Sequence, residues 1–246
     1  KHYDGQRFRN EGNIGQKKFS DFIRVLWERD KKTWPTWVEN EFHAKPSLKV
    51  AGPEIRLTMI NHASVLIQTD GFNIITDPIW SERCSPVSFA GPKRHRPPGV
   101  AFEEMPQIDV VLISHNHYDH LDIKSLQIIY KKYPDAIFLV PLGDKKLLTK
   151  NGIKNVKDFA WWEGFQFKGI KFIFTPVQHW SKRTLSDKNK SLWGGWWIES
   201  NNFKFLHLGD TGYTKDFLDI KKRLGKPDLV AIPIGAYKPR DIMKYN

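Results

Sequence analysis

Short runs of apolar residues, separated by turn residues, dominate the chain from about residue 54 onward. The runs EIRLTMI, ASVLIQT and FNIIT follow one another, and Thr69, Asp70 and Gly71 between the last two read as a hairpin turn. Runs of this length, bounded by Gly, Pro and Asp, predict β-strands. Further predicted strands lie in IDVVLIS, AIFLV, NVKDFAW, GIKFIFTPVQH, LWGGWWIES, FKFLHLGD and DLVAIPIG.

Helical periodicity appears between the later strands. DIKSLQIIYKKYP predicts a helix that stops at Pro134, and a second helix is predicted around DKKLLTKNG, ended by Gly152. A third is predicted within KDFLDIKKRLGK. Strands that open each half of a domain, with helices between the later strands, are typical of two sheets packed face to face with helices outside. We therefore predict a single α/β or α+β domain over residues 51–246.

Residues 1–50 have a different pattern. Residues 1–17 are polar and predict a loosely packed arm, whereas residues 17–32 carry apolar side chains at helical spacing and predict an amphipathic helix. Such a helix docks on its own protein, on a second copy of the chain or on a membrane, so a homo-oligomer is one expected state. The first residue is Lys1 rather than Met. We therefore expect a trimmed N-terminus, which leaves the compartment open between cytoplasmic and peripheral membrane. The apolar positions of the predicted helix are Phe19, Phe22, Ile23, Leu26 and Trp27.

Charge and composition narrow the range of partners. The 246 residues include 39 Lys and Arg against 27 Asp and Glu, which gives a formal net charge of +12 and favours anionic partners such as phosphate groups, acidic lipids or nucleic acid. Trp residues beside cations suit a membrane interface, although several of the ten must fill the core. No apolar run approaches the roughly 18–20 residues of a membrane span. Cys84, expected to be buried and inert, is the single cysteine, which excludes a disulfide framework and a Cys-rich zinc site.

The stretch SHNHYDHLD, residues 114–122, completes the apolar run IDVVLIS and holds three of the nine histidines. Side chains at positions i and i+2 of an extended chain emerge on the same side, so His115 and His117 are predicted to bind one ion. Asp119 and His120 follow as the chain turns into a helix, and they are predicted to face a second ion. Imidazole and carboxylate ligands suit Zn²⁺, with iron and manganese as alternatives.

Two further candidate ligands lie at other strand ends. His179 ends the run FIFTPVQH, and Asp210 ends FLHLGD, where a carboxylate can bridge two ions. His62 lies where a strand begins and is predicted to orient a ligand or the bridging carboxylate. His207 lies inside a strand, three residues before Asp210, and is predicted to be structural.

Together these residues resemble the metallo-β-lactamase fold, an αββα sandwich of two mixed β-sheets with outer helices. Longer blocks resemble one branch of it, the N-acyl-phosphatidylethanolamine-hydrolysing phospholipase D family, over roughly residues 51–246. By this resemblance His115, His117 and His179 hold one zinc ion. Asp119 and His120 then hold the second, and Asp210 bridges the two. The blocks are ASVLIQTDGFNIITDPIWSERCSPVSFAGPKRHRPP, VLISHNHYDHLD, PVQHWSKRTLSDKNKSLWGGW, GDTGY and AIPIGAYKPRDIMKYN.

The chain departs from the family at its C-terminus. The family has one further histidine on the second ion, directly after the block that ends here at Asn246. We therefore expect the natural chain to continue past Asn246 with a histidine. On this expectation the fold of the 246 residues is incomplete at its C-terminal end.

The resemblance implies a phosphodiesterase that hydrolyses N-acyl-phosphatidylethanolamine-like phospholipids to N-acylethanolamine and phosphatidic acid. The two ions would activate a shared water and neutralise charge on the phosphoryl oxygens. Asp119 and Asp210 are the predicted catalytic residues, and Asp119 would hold the water and shuttle its proton. Residues predicted to contact the anionic substrate are Tyr118, Lys182 and Arg183, near a second basic cluster of Lys93, Arg94 and Arg96.

Two alternatives stay open. The first is another hydrolase of the same fold, such as a sugar-phosphate lactonase, a nuclease or a thioester hydrolase. The second is an inactive truncated form that acts only as a binding protein. Basic charge alone would fit a nuclease, but the aromatic-rich blocks match the lipid enzyme better. We therefore expect a phospholipid substrate and a peripheral contact with a membrane surface, and no nucleic-acid partner.

Overall fold

The structure, a computed structural model, describes residues 2–11, 24, 27 and 35–235. Eleven strands in these ranges form two sheets, one of six strands in the order β1 to β6 and one of five in the order β11-β10-β9-β8-β7. The first sheet comprises β1 (Ile55–Asn61), β2 (Ser64–Thr69), β3 (Phe72–Thr76), β4 (Val110–Leu112), β5 (Ile137–Pro141) and β6 (Val156–Phe159). The second comprises β7 (Gly164–Phe167), β8 (Ile170–Thr175), β9 (Gly195–Glu199), β10 (Lys204–His207) and β11 (Leu229–Ala231).

Both sheets are mixed. Strands β1 to β3 run antiparallel to one another, and β3 to β6 run parallel. In the second sheet β7 to β10 are antiparallel, and β11 pairs with β10 in parallel. The hairpin between β2 and β3 turns at Asp70 and Gly71, whose φ angles of 49° and 79° suit a tight turn that matches strand twist. The predicted strand FNIIT coincides with β3.

The main core lies between the sheets. Ile67, Ile74 and Leu112 of the first sheet belong to the same buried cluster as Phe172 and Trp196 of the second. A second buried cluster joins the other face of the first sheet to two helices, α1 (Ile123–Lys132) and α2 (Lys145–Lys150). The third helix, α3 (Asp216–Leu224), contributes a buried isoleucine to the main cluster, and one turn of 3₁₀ helix covers Phe102–Glu104. The predicted sandwich of two mixed sheets with outer helices is confirmed.

The N-terminal arm is packed against the body, so the prediction of a loose arm is wrong for residues 2–11. Phe8 is only 6% exposed, and its backbone N–H donates to the carbonyl of Asn189 at 2.8 Å. The side chain of Asn189 donates back to the carbonyl of Phe8 at 3.2 Å. The helix predicted over 17–32 lies outside the described residues, except that Arg24 and Trp27 are helical. Within the described ranges no helix combines the length and apolar character needed to cross a bilayer.

Candidate metal centre

The candidate ligands lie on loops that follow the C-terminal ends of three strands. His115 comes just after β4, His179 after β8 and Asp210 after β10. Strand β4 is shorter than the predicted run IDVVLIS because Ser114 turns away from the sheet. Its backbone N–H donates to Asp77 Oδ1 at 2.7 Å. This turn delivers the His-rich stretch to the edge where both sheets meet.

Three histidines converge on one point. His115 Nε2 lies 2.8 Å from His117 Nδ1, and His179 Nε2 lies 3.2 Å from each of these atoms. Nitrogen ligands about 2.0–2.1 Å from a tetrahedral Zn²⁺ are separated by roughly 3.3 Å, the edge of the tetrahedron. The spacing and the donor chemistry therefore fit a single bound cation.

Burial keeps these three histidines neutral. It lowers the pKa of His115 well below the usual value, the pKa of His117 to about 4 and that of His179 to about 3. Neighbouring histidines add to the shift at His115 and His179, because several protonated imidazoles cannot share this volume. A neutral imidazole carries the lone pair that binds a metal, so the cluster is ready for a cation at neutral pH.

A second group forms around His120. Its Nε2 lies 3.3 Å from His62 Nε2 and 3.9 Å from Asp119 Oδ2, and His62 Nε2 lies 3.2 Å from the same carboxylate oxygen. Asp210 Oδ2 is 3.4 Å from His120 Nε2 and 4.0 Å from His179 Nε2. The predicted bridging residue thus lies between the two groups. All six predicted ligands and His62 are brought together, in groups of His and Asp that could hold a metal ion.

Asp77 is not among the predicted site residues, yet its carboxylate holds the second group in place through hydrogen bonds. Its fully buried carboxylate accepts hydrogen bonds from Ser114 Oγ at 2.6 Å, His120 Nδ1 at 2.9 Å and His207 Nε2 at 3.0 Å. The bond to His120 fixes the ring and directs its other nitrogen toward the metal position. His207 is structural, as predicted. The missed signal is an Asp directly after the buried strand FNIIT, at the same sheet edge as the His-rich stretch.

Hydrogen bonds and charges set the protonation of this second group. Burial would lower the pKa of His120, but Asp210 and Asp77 outweigh it and raise that pKa well above the usual value. Burial would raise the pKa of Asp77 and Asp119, yet neighbouring histidines hold both below their usual range. The same balance, with His120 as the main partner, lowers the pKa of Asp210 to about 2. Without a metal, His120 is therefore a cation among carboxylates.

The predicted substrate-binding residues Tyr118 and Arg183 contact each other. The Arg183 guanidinium lies 4.0 Å from the centre of the Tyr118 ring, and it donates to the carbonyls of Asn116 and Leu121 at 2.9 and 2.7 Å. Arg183 therefore braces the loop that carries the ligands. Lys182 is half-exposed beside it. Contact of these residues with a substrate stays a prediction.

A cavity of about 720 Å³ opens beside His62 and Asp119. Its lining combines apolar side chains, including Phe42 and Met59, with basic ones from the loop of residues 81–99. Arg94 in this loop donates to the carbonyls of Ile79 and Ser81, so it shapes the wall. Cys84 is half-exposed on the lining, so the expectation that it is buried is wrong. Lys93 and Arg96 are exposed members of the same lining.

Comparison with curated proteins gives relatives along most of the chain. N-acyl-phosphatidylethanolamine-hydrolyzing phospholipase D 1 of Caenorhabditis elegans is 40% identical over 83% of this chain and 58% of its own length. The mitochondrial protein of that activity name in Saccharomyces cerevisiae is 41% identical over 69% of this chain and 37% of its own length. The chain thus spans about half the length of the curated relatives it matches.

Solved structures and family profiles agree on the fold. Igni18, described as a novel metallo hydrolase from Ignicoccus hospitalis, superposes with a TM-score of 0.56 at 22% identity, over 74% of this chain and 71% of its own. The profile of the Beta-lactamase superfamily domain matches residues 72–245, which include six of the candidate ligands and Asp77. With a profile match over most of its length and a two-sheet fold around its cluster of His and Asp side chains, this chain belongs to the β-lactamase superfamily.

Proposed function

We propose that the protein is a dinuclear zinc phosphodiesterase that hydrolyses N-acyl-phosphatidylethanolamine-like phospholipids. The observation that carries the proposal is the pair of ligand groups with Asp210 between them, because two adjacent ions suit hydrolysis of a phosphodiester. Zn²⁺ is the proposed ion because imidazole and carboxylate oxygen are its usual ligands at catalytic sites. The substrate follows from the two relatives named for this activity.

In this proposal His115, His117 and His179 would hold the first ion and Asp119 and His120 the second, and Asp210 lies where it could be a ligand of both. Bound Zn²⁺ would supply a more acidic water and would offset the negative charge that grows on the phosphoryl oxygens. Asp119, whose low pKa keeps it ionised, orients the water and accepts its proton. Attack on phosphorus breaks the bond to the N-acylethanolamine oxygen, and that oxygen takes up the proton.

The mixed character of the cavity supports a lipid substrate. Phe42 and Met59 offer apolar surface for an acyl chain, and Lys93 and Arg96 offer charge for a phosphate. A lining that combines apolar groups with both basic and acidic ones (Glu41 and Glu82), next to Asp119, suits an amphipathic phosphodiester better than a uniformly charged polymer. We extend the proposal to Tyr118, Lys182 and Arg183 as contacts of the headgroup side.

A peripheral contact with a membrane surface belongs to the same proposal. Phe42 and Phe89 are 84% and 82% exposed; Phe42 lines the cavity, and Phe89 lies in the loop of residues 81–99 that supplies its basic side chains. Aromatic side chains at headgroup level beside cations are typical of peripheral docking. Such docking would bring the cavity to its substrate without extraction of the lipid into water.

The test is a product analysis in isotopically labelled water. The intact protein, loaded with Zn²⁺, is incubated in H₂¹⁸O with mixed micelles of N-acyl-phosphatidylethanolamine, with phosphatidylcholine micelles and with single-stranded DNA. We expect N-acylethanolamine and phosphatidic acid from the first substrate alone, with ¹⁸O in the phosphatidic acid because water attacks phosphorus. Label in the N-acylethanolamine would refute the mechanism. Cleavage of DNA without cleavage of lipid would instead favour the nuclease alternative.

A further inference from the structure

His62 lies in a position where an imidazole is held under strain. It forms the turn between β1 and β2, with a φ of 38°, a left-handed conformation that residues other than glycine rarely adopt. Strained backbone of this kind persists where the surroundings fix it, and it is enriched at functional sites. Although its side chain is 48% exposed, it is turned toward the metal centre rather than into solvent.

Three atoms with lone pairs meet at the tip of His62. Asp77 accepts the Nδ1–H of His120, so the neutral form of that ring carries its lone pair on Nε2. His62 Nε2 lies 3.3 Å from this nitrogen and 3.2 Å from Asp119 Oδ2. Two imidazole nitrogens and a carboxylate oxygen at such distances require a positive centre among them, either a proton or a metal ion.

The spacing favours a metal ion. The distances of 3.2 and 3.3 Å from His62 Nε2 match the ~3.3 Å edge of a tetrahedral zinc site, and they match the 3.2 Å spacing from His179 to His115 in the first group. Asp210, at 3.4 Å from His120 Nε2, occupies the remaining side of this set. A proton on one of these atoms would be shared with a single acceptor, whereas a metal ion can contact all three atoms, of which His120 Nε2 and Asp119 Oδ2 are the most widely separated, at 3.9 Å.

We propose that His62 is a direct ligand of the second ion, with Asp119 and His120, and not only a residue that orients them. The inference rests on the two-ion centre of the proposed function. The second site then contains His62, Asp119 and His120, which follow strands of the first sheet. It shares Asp210, which follows β10 of the second sheet, with the first site.

Metal titration of three variants tests the assignment. His62→Ala removes the ligand, His62→Gln keeps an N–H donor for Asp119 but no imidazole, and His43→Ala is a control at an exposed histidine outside the candidate metal groups. Zn²⁺ binding to the metal-free protein is followed by calorimetry and by metal content after dialysis, and Co²⁺ loading reports the ligand field of each site by its visible spectrum. Circular dichroism confirms the fold of each variant.

We expect both His62 variants to bind the second ion at least about 100-fold more weakly, beyond the 10–100-fold typical of lost outer hydrogen bonds, while the first ion binds unchanged. The Co²⁺ spectrum of the second site changes in parallel, and His43→Ala behaves as wild type. If His62→Gln binds two ions as wild type does, or if both ions weaken equally, the assignment is overturned.

These experiments test the role of His62 separately from the proposed function. If the wild-type protein binds two ions but does not cleave the phospholipid, the proposed substrate is refuted, and the titrations still decide whether His62 is a ligand. A wild-type protein that binds a single ion refutes the dinuclear centre and the assignment with it. Two ions in both wild type and His62→Gln, with phospholipid cleaved, refute the assignment alone.

Discussion

One loop supplies both halves of the metal centre, yet the halves differ in charge and support. His115 and His117, with His179, form a buried group whose low pKa values leave it neutral. Asp119 and His120 belong to the second group, which is partly exposed. There Asp77 and Asp210 raise the pKa of His120, so this histidine is protonated. The ligand spacing in the sequence is equally regular in both halves. The environment rather than the motif therefore decides that the first half accepts a cation without releasing protons.

The largest effect on the rate of hydrolysis should come from Asp119→Asn, which removes a carboxylate from the second half of the centre. The variant loses the group that orients the water and takes its proton, and general-base groups of this kind contribute about 10²–10⁴-fold to rates. We expect hydrolysis of N-acyl-phosphatidylethanolamine to fall by that order, measured as initial rates at saturating Zn²⁺. Because Asp119 is 38% exposed, the melting temperature should barely change.

Asp135→Asn, at an exposed carboxylate away from the centre, is the matched control for this variant. It should leave both the rate and the melting temperature as in wild type. A fully active Asp119→Asn protein would remove Asp119 from the mechanism. The two halves would then differ in how they bind metal, and not in a catalytic role of Asp119.

Asp77→Asn tests whether the hydrogen bonds between Asp77 and His120 determine the metal affinity of the second half. An amide has one acceptor oxygen and no charge, so it cannot accept all the hydrogen bonds that Asp77 takes from Ser114, His120 and His207, and lost outer partners of ligands cost about 10–100-fold in metal affinity. We expect weakening of that size for the second Zn²⁺, no change for the first, and a lower melting temperature. Calorimetric titration and thermal unfolding measure the two effects.

A second buried carboxylate provides the control for Asp77→Asn. Burial raises the pKa of Asp144 to about 7, so this group is already partly protonated at neutral pH, and it accepts a bond from Asn116 at 3.0 Å. Asp144→Asn should therefore destabilise the fold much less and leave the affinity for the second ion unchanged. Equal loss of both ions in Asp77→Asn would mean that Asp77 supports the loop rather than one half of the centre.

The strand pattern was readable because its determinants are local. The run FNIIT and the turn Thr69–Gly71 give both ends of β3, and the position of His115 after an apolar run placed it at a strand end. Strand β7, Gly164–Phe167, was missed because it reads Gly-Phe-Gln-Phe, with few β-branched residues and no clear signal of pairing. Its partner is β8, so tertiary pairing decides its structure.

The ligands could be predicted, but their supports could not. Histidines in a dense motif stand out, whereas a lone Asp77 before Pro78 reads as a turn residue. The docking of the arm was invisible for another reason. Phe8 pairs with Asn189, some 181 positions away, and no local pattern encodes a contact over that distance. Support for a site is a property of the fold, and a single sequence shows it poorly.

Protonation should separate the two halves by pH. The pKa of His120 is raised, so the metal-free protein holds a proton there at pH 7 that the second ion must displace. The affinity for the second ion should therefore fall about tenfold per pH unit as pH is lowered, while the first ion stays bound until pH approaches about 4, where His117 takes up a proton. Calorimetry in buffers of different ionisation enthalpy counts the protons released. Simultaneous release of both ions on acidification would contradict the contrast.

The smallest effect should come from the arm, through Asn10→Ala in the first half. The Asn10 side chain donates to the carbonyl of His179 at 2.9 Å and accepts from its N–H at 3.2 Å and from Trp193 Nε1 at 3.0 Å. These bonds hold the backbone of a ligand, not its ring, and each contributes about 0.5–1.5 kcal/mol, so the first Zn²⁺ should weaken by roughly tenfold or less. Competition with a chromophoric chelator measures it.

Arg7→Ala separates positioning of His179 from docking of the arm. Arg7 bonds to the carbonyl of Lys188 and does not touch the ligand loop at His179, so its loss should loosen the arm without weakening the first ion. If Arg7→Ala and Asn10→Ala weaken the first ion equally, the whole arm acts as a cover, and no single residue positions the ligand. If only Asn10→Ala weakens the binding of the first ion, and the second ion is unaffected, then Asn10 of the N-terminal arm helps to position His179 for the first ion.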